Sequence, residues 1–455
     1  MEKSHRNILI VLLALLALVF AFNRWAFRET EPIDVSVFLG PIHTNQVVAE
    51  EVFTLLDIEW YEYYTSMLIE VSAFADTNRQ ERIFGALAKG TGQNLGADRA
   101  AWQRWLWSSP ENNHPDYAEF KAQLYEQLDP SFREYFHKQR SKTIRLDEII
   151  WSGIPRDGIP PITQPKYLEN PAADAIPEEE PVIGLEVNGK ARAYPRRLLE
   201  YHEIVQDILG GESIVGTHCN FSGVAAFYEA TVNNIAYEFG TSGFLYRSNK
   251  LLYDKSTKSL WQSLSGLPVV GPMVGGNAGL KPLPVVITTW KAWRDLHPDT
   301  DVLSPDTGFQ MDYSQPSQFS EYSETDQLLY GVPHEDSRLK NKAEVLAIRA
   351  MDAKAKQLAL SRELLLANPA YHGESGGQSY VVLTGPDGAS RVYESGETKF
   401  ESFDGRTATD ASKASWKLTE TALIGSDGQK LRRYPAHRAY WFAWHAAYPD
   451  TDLVK

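Results

Sequence analysis

The sequence predicts an α+β protein: an N-terminal membrane anchor and helical domain, then two related β-rich repeats packed as a pseudo-two-fold unit. Three observations carry the prediction. A charge-free apolar run opens the chain, a helical hydrophobic period fills the stretch after it, and a strand-rich block recurs about 150 to 165 residues beyond its first appearance.

Residues 1–27 read as a membrane anchor or signal segment. Lys3 and Arg6 precede an uncharged run from Ile8 to Phe22, and Arg24 and Trp25 suit an interfacial position just beyond it. No small-residue cleavage site follows, which favours an uncleaved anchor over a removed signal peptide. By the positive-inside rule the Lys3/Arg6 end stays cytoplasmic. The expected protein is therefore single-pass in the cell membrane, contacts the membrane through this segment, and carries an exported globular part, periplasmic or extracellular.

Composition narrows the class. At 455 residues the chain exceeds one ordinary core, and 43% hydrophobic with 12% aromatic residues is globular. A net charge of −14 argues against nucleic acid as a partner, since phosphate binding without sequence preference needs a basic face. The single cysteine, Cys219, excludes an intrachain disulfide and every multi-cysteine metal motif.

Residues 35–150 form the predicted helical domain, an antiparallel set of four to six helices. Phe53, Leu56, Trp60, Tyr63, Tyr64 and Leu68 recur at three and four as one helix face, and Asp76 is placed to cap the next helix. This aromatic stripe reads as core, and the domain's outer surface as a place for a protein partner. Residues 151–181 hold Pro155, Pro160, Pro161, Pro165, Pro171, Pro177 and Pro181, which forbid regular helix. With Ile154, Ile159 and Ile162 interspersed, the segment reads as a strap lying along a domain surface.

The first repeat is residues 182–303. It opens on a hairpin turning at Asn188-Gly189, the strongest short signal for a two-residue turn. Leu198 to Leu209 reads as a short helix carrying His202 and Glu203, and His218-Cys219 as a turn between strands. Trp290 and Trp293 share a face of a closing helix that His297-Pro298 ends. The Gly-rich loop Gly271 to Gly279 has no strand-to-helix context and is not a phosphate cradle. Residues 304–344 form an irregular polar crossover, and residues 345–455 the second repeat.

The duplication is legible as a series of echoes. VIGLEVNGKARAYP from Val182 returns at Val345, GGESIV from Gly210 as GGQSYV at Gly376, and WRDLHPDTDVL as WHAAYPDTDLV. Trp293 and Trp444 correspond, as do Tyr228 and Tyr393, and residues kept in both copies read as packing. His202-Glu203 faces Asn368-Pro369 in the second copy, and the His218-Cys219 segment faces a bland TGPDG. The polar groups peculiar to the first copy, His202, Glu203, His218, Cys219 and Asp254, are therefore the candidate ligand-binding residues.

Each has a structural alternative. Cys219 alone reads as a small buried hydrophobe; beside His218 it could be an activated nucleophile or a thiolate ligand. His202, His218 and Cys219 would make an N/N/S set suited to copper or zinc if the helix packed across the turn. Asp254 reads either as the floor of a polar pocket with Arg247, Ser248 and Asn249 or as the partner of a neighbouring cation. If these groups form a site, His202→Ala and His218→Ala should leave the fold intact.

Several of these stretches together are similar to a known family. RDGIPPITQPKY, the block beginning VIGLEVNGKARAYP, FGTSGFLYRSNKLLYDKSTKSLWQ and PAHRAYWFAW resemble the bacterial and archaeal family called DUF3179, a domain of unknown function, from about Arg156 to Lys455. The resemblance implies no particular activity, cofactor or substrate. The family pattern Thr-Tyr-Cys-Pro-Leu-Cys-Gly is matched here by Thr217-His218-Cys219-Asn220-Phe221-Ser222-Gly223, so its first cysteine is present and its second is Ser222. Two functions stay open: a ligand- or partner-binding module using a cleft between the repeats, or a metal- or thiol-dependent enzyme centred on Cys219.

Overall fold

The computed structural model describes residues 33–169, 176–315, 317, 319–349 and 356–455. The predicted anchor, residues 1–27, lies outside the described residues. No helix among the described residues is long and apolar enough to cross a membrane.

A helical region comes first. Its helices Gln46–Ile58, Thr77–Thr91 and Arg99–Ser108 start at Asn45, Asp76 and Asp98, whose side chains accept from backbone N–H groups two or three residues on. Gly92, at φ 73°, ends the second in the left-handed conformation that glycine tolerates. The continuous helix face expected from Phe53 to Leu68 is broken: the chain is extended at Glu59 and restarts as Tyr64–Val71. The break lets Trp60 lie on Gly90, where a Cβ would stand 2.1 Å from the indole. Periodicity alone could not register it, because both segments keep the same spacing.

The helical core does not close on itself. Tyr125, Phe132 and Phe136 pack with Phe244 and Tyr253, which belong to the strands Phe239–Tyr246 and Asn249–Asp254 of the β-rich part. The proline-rich segment lies along this same body: Ile162 pairs beside Val205, and Thr241 donates to the Ile159 carbonyl.

Two sheets of the β-rich part share one strand order. In the first half, Val285–Thr289, Pro181–Val187, Lys190–Pro195 and Asp301–Leu303 lie side by side; the last pair is parallel and the others antiparallel. In the second half, Ala436–Tyr440, Glu344–Ile348, Leu358–Ser361 and Asp452–Val454 follow the same order and directions. The Asn188-Gly189 hairpin forms as expected, with both residues at positive φ. A tryptophan helix precedes the closing strand in each half, Trp290–Leu296 and Trp441–Ala447.

Paired residues make paired bonds. Trp293 Nε1 donates to Thr300 Oγ1 at 2.9 Å, and Trp444 Nε1 to Thr451 Oγ1 at 2.9 Å. The Tyr228 hydroxyl donates to the Ser263 carbonyl at 2.8 Å, and that of Tyr393 to the Thr419 carbonyl at 2.8 Å.

The halves share a core. Trp441 and Trp444 pack in one apolar cluster with Ile204, Val215, Val224 and Trp261, while Ala389 joins the cluster of Trp290 and Trp293. A buried ionic group crosses the same boundary: Glu420 accepts from Arg391 and Arg433, Arg433 donates to the Val285 carbonyl at 2.8 Å, and His297 lies 3.4 Å from Glu420. The two guanidinium charges outweigh burial and hold the Glu420 carboxyl well below its usual range.

Truncating Trp444 therefore removes packing from both halves. Trp444→Ala should cost about 3–5 kcal/mol in urea unfolding, and fluorescence and far-UV circular dichroism should still report one shared transition. Two separate transitions, one per half, would show that the cores are independent.

Candidate functional site

The first-half residues singled out by sequence divide among three places: His202 on the proline-rich segment, Glu203, His218 and Cys219 near Lys250, and Asp254 in a turn of its own. The helix Arg196–His202 ends well short of the Leu209 expected from sequence, and Ile204–Leu209 is a strand rather than a continuation of the helix. Glu203 takes a left-handed turn at φ 60°, and this parts it from its neighbour.

His202 is fully buried and fully used. Its Nδ1 lies 2.8 Å from the Pro160 carbonyl and its Nε2 meets the Tyr313 hydroxyl, which in turn contacts Thr307 Oγ1. The Pro160 carbonyl only accepts, so Nδ1 carries the proton and Nε2 accepts from Tyr313. His202 thus ties the proline-rich segment to Tyr313, and its removal would leave the Pro160 carbonyl and the Tyr313 hydroxyl without this partner.

Glu203 turns inward instead. Its carboxylate is paired with Lys250, both buried, and its carbonyl accepts from the His218 N–H at 2.8 Å. Burial raises the Glu203 carboxyl against the opposing pull of the Lys250 charge.

His218 and Cys219 close the strand Glu212–Cys219, opposite Ala225 and Val224, and the turn lies beyond them. The Cys219 thiol is packed among Phe221, Leu245, Tyr322 and Tyr330, with Sγ 3.8 Å from the Ser248 carbonyl. Burial pushes the thiol up, so it holds its proton at neutral pH and is a poor nucleophile. Ser222 accepts from Asn249 at 2.9 Å in a buried chain of hydrogen bonds.

Asp254 is also structural. It accepts from the backbone of Thr257 and Ser259 and from Trp261 Nε1 at 3.0 Å, closing a turn between strands. Asp410 does the same for Ser412, Ala414 and Trp416 in the second half, so Asp254 is not peculiar to the first. The sequence held the signal, since DKSTKSLW and DASKASW share an aspartate, a lysine, a serine and a tryptophan in order. The copper or zinc set is likewise not assembled: among the described residues no three His, Cys, Asp or Glu side chains come together to hold a metal.

What remains is His218. His218 is 7% exposed and lines a cleft of about 420 Å³; its Nδ1 makes no well-formed hydrogen bond, while the nearby Asn220 amide pulls against the lowering of its pKa. Burial, reinforced by the Arg196 and Lys250 charges, lowers its pKa to about 3, leaving a neutral imidazole at ordinary pH. The cleft is walled from both halves and the connector: Arg196, Glu200 and Asn220 from the first, Phe319 and Lys342 from the connector, Glu344, Arg438 and Tyr440 from the second. Asn220 is fixed by donating to the Glu200 carbonyl at 2.9 Å, and the Tyr440 backbone donates to the Ser222 carbonyl at 2.8 Å, docking the second half beside the His218 strand. Sequence reasoning missed Arg196, Asn220, Lys342 and Arg438, which reach the cleft from four separate segments and share no spacing.

A larger cavity, about 570 Å³, separates the helices from the connector. Its acidic groups are engaged: Glu70 accepts from Tyr117 and Lys121, and Asp147 is paired with Arg145.

Fold and site together define a mixed α/β protein, helical at its N-terminal end and β-rich beyond, with a polar cleft where its halves meet. Residues 156–451 match the family model described as "Protein of unknown function (DUF3179)", and the chain belongs to that family. No curated protein and no solved structure matches the chain.

The two histidines should respond differently. His202→Ala orphans the Tyr313 hydroxyl and the Pro160 carbonyl and should cost on the order of 2–4 kcal/mol in urea unfolding. For His218 the unfolded chain binds the proton near pH 6.5 and the folded chain only near pH 3, so this histidine contributes stability that is lost as pH falls through that window. His218→Gln should accordingly lose less stability than the parent between pH 6.5 and 4; parallel curves would mean that the imidazole is hydrated.

Proposed function

We propose that this protein is a non-catalytic binding module that takes a small polar ligand in the cleft beside His218. The observation that carries this reading is the unpartnered Nδ1 of a nine-tenths buried histidine, in a cleft whose walls come from both halves. A buried polar atom without a partner costs on the order of 1–3 kcal/mol, a cost that a ligand hydrogen bond relieves. The protonated, enclosed thiol of Cys219 speaks against a thiol-centred enzyme.

In this reading the two halves are a duplicated unit arranged about a pseudo-two-fold, supported by their common strand order and matched Trp–Thr bonds. The first half kept a polar site while the second supplied the opposite wall. The helical region offers its outer surface to a protein partner, and residues 1–27 tether the exported body to the membrane.

A thermal-shift screen of common metabolites tests the binding role. At least one should raise the melting temperature by several degrees, and the shift should vanish in His218→Ala and persist in Cys219→Ala. Loss of the shift in Cys219→Ala, or turnover of the bound compound, would instead support the enzyme.

For topology, a C-terminal fusion to a reporter active only outside the cytoplasm should be active, and the protein should pellet with membranes after alkaline washing. A silent reporter would defeat export, and a soluble form starting after Phe27 would defeat the tether alone.

A further inference from the structure

We propose that the cleft beside His218 takes a small oxyanion, the carboxylate or phosphate of a polar metabolite, held by the guanidinium groups of Arg196 and Arg438. The proposal rests on reading the cleft as a binding site and names what it binds.

Local charge runs against the charge of the chain. The protein carries −14 overall, yet Arg196, Lys342 and Arg438 line the cleft against Glu200 and Glu344. A concave site with an excess of positive charge favours an anion even on a protein of the same overall sign as that ligand.

The two arginines are also underused. Arg196 meets Glu200 most closely through Nε, at 3.2 Å, and its terminal nitrogens make no hydrogen bond among the described residues. Arg438 donates Nη2 to the Gly388 carbonyl at 2.5 Å, but its Nη1 stands 3.7 Å from Glu344, a carboxylate that Arg362 also approaches at 3.4 Å. Well-formed guanidinium–carboxylate contacts are about 2.7–2.9 Å long and commonly bidentate, so both carboxylate pairings are loose. An oxyanion accepting from the free edges would gain the fork geometry that Glu200 and Glu344 do not provide.

The surroundings make that gain worth having. Arg438 is largely buried, and burial together with the nearby Arg362 and Arg196 charges pushes its guanidinium down from its ordinary range. A bound anion would relieve this mutual repulsion. Lys342 contributes field more than contact, because its ammonium is taken by the Tyr322 carbonyl and Thr325 Oγ1. The neutral imidazole of His218 is left for an uncharged hydroxyl or amide elsewhere on the same ligand.

Full-length protein in detergent can be titrated with glucose 6-phosphate, gluconate and succinate, and with neutral glucose and cationic spermidine, followed by thermal shift and calorimetry. At least one anionic probe should stabilise the protein while glucose and spermidine do not; glucose 6-phosphate against gluconate and succinate separates a phosphate from a carboxylate preference. For the probe that binds, Arg196→Gln should weaken the apparent Kd by on the order of tenfold, Arg196→Lys should recover only part of that, and Glu200→Gln should tighten binding.

Binding of glucose that is lost in His218→Ala and indifferent to Arg196→Gln would keep the cleft and overturn the oxyanion. Anion binding untouched by Arg196→Gln and His218→Ala alike would place the site elsewhere and overturn both readings. Failure of every anionic probe at millimolar concentration would overturn the oxyanion proposal.

Discussion

The burial of the Trp441–Ala447 helix against the first half is the constraint on which the rest of the structure depends. Each half ends its sheet with a short tryptophan helix, and neither helix is covered by its own strands alone. Trp441 and Trp444 complete their cluster with Val215, Val224 and Trp261, so the second half is held in one place and orientation. That placement sets Tyr440 against Gly223, where a Cβ would stand 3.0 Å from the ring, and brings Arg438 to the wall opposite His218. The cleft is a by-product of the shared core: at its rim Arg196, Lys342 and Arg438 stand with Glu200 and Glu344 around a gap, beside Phe319 and Tyr440.

The hairpin turn Arg247-Ser248 fastens the remaining parts to this core. Both residues stand at positive φ, as a two-residue hairpin turn requires, and the turn projects beyond the strands it joins. Arg247 reaches Glu148 at the end of the helical region and the Ala446 carbonyl at the end of the tryptophan helix. Ser248 donates to the Tyr330 carbonyl of the connector and presents its own carbonyl to Cys219. Here the lone cysteine serves as packing at a four-way junction. Its neighbours are aromatic rings, Leu245, Ser222 and a carbonyl, and burial among them raises the pKa of the thiol.

Comparing the halves separates packing from chemistry better than residue type does. Asp254 reads from sequence as a group peculiar to the first half, but Asp410 makes the same tryptophan bond, and a feature needed twice serves the fold. His202 has no twin and is nonetheless structural, since both ring nitrogens are spent on the proline-rich segment and Tyr313. His218 has no twin either, but it leaves a nitrogen unspent. Lacking a counterpart in the other half does not by itself mark a site; a buried polar atom without a partner is the stronger sign.

The sequence by itself determined the elements and the family. The helix cap at Asp76, the Asn188-Gly189 turn, both tryptophan helices and the order of helical and β-rich parts follow from local rules that act over a few residues. Tertiary structure alone decided the rest. It broke the first long helix to seat Trp60 on Gly90, ended the Arg196–His202 helix so that His202 and Glu203 part company, and kept His202 from Cys219. It also gathered Arg196, His218, Lys342 and Arg438 into one cleft. The physical reason is one of range. Caps and turns are settled by neighbours along the chain, whereas which side of a sheet end a ring occupies, and what faces it, depends on segments more than a hundred residues away that only the shared core brings together.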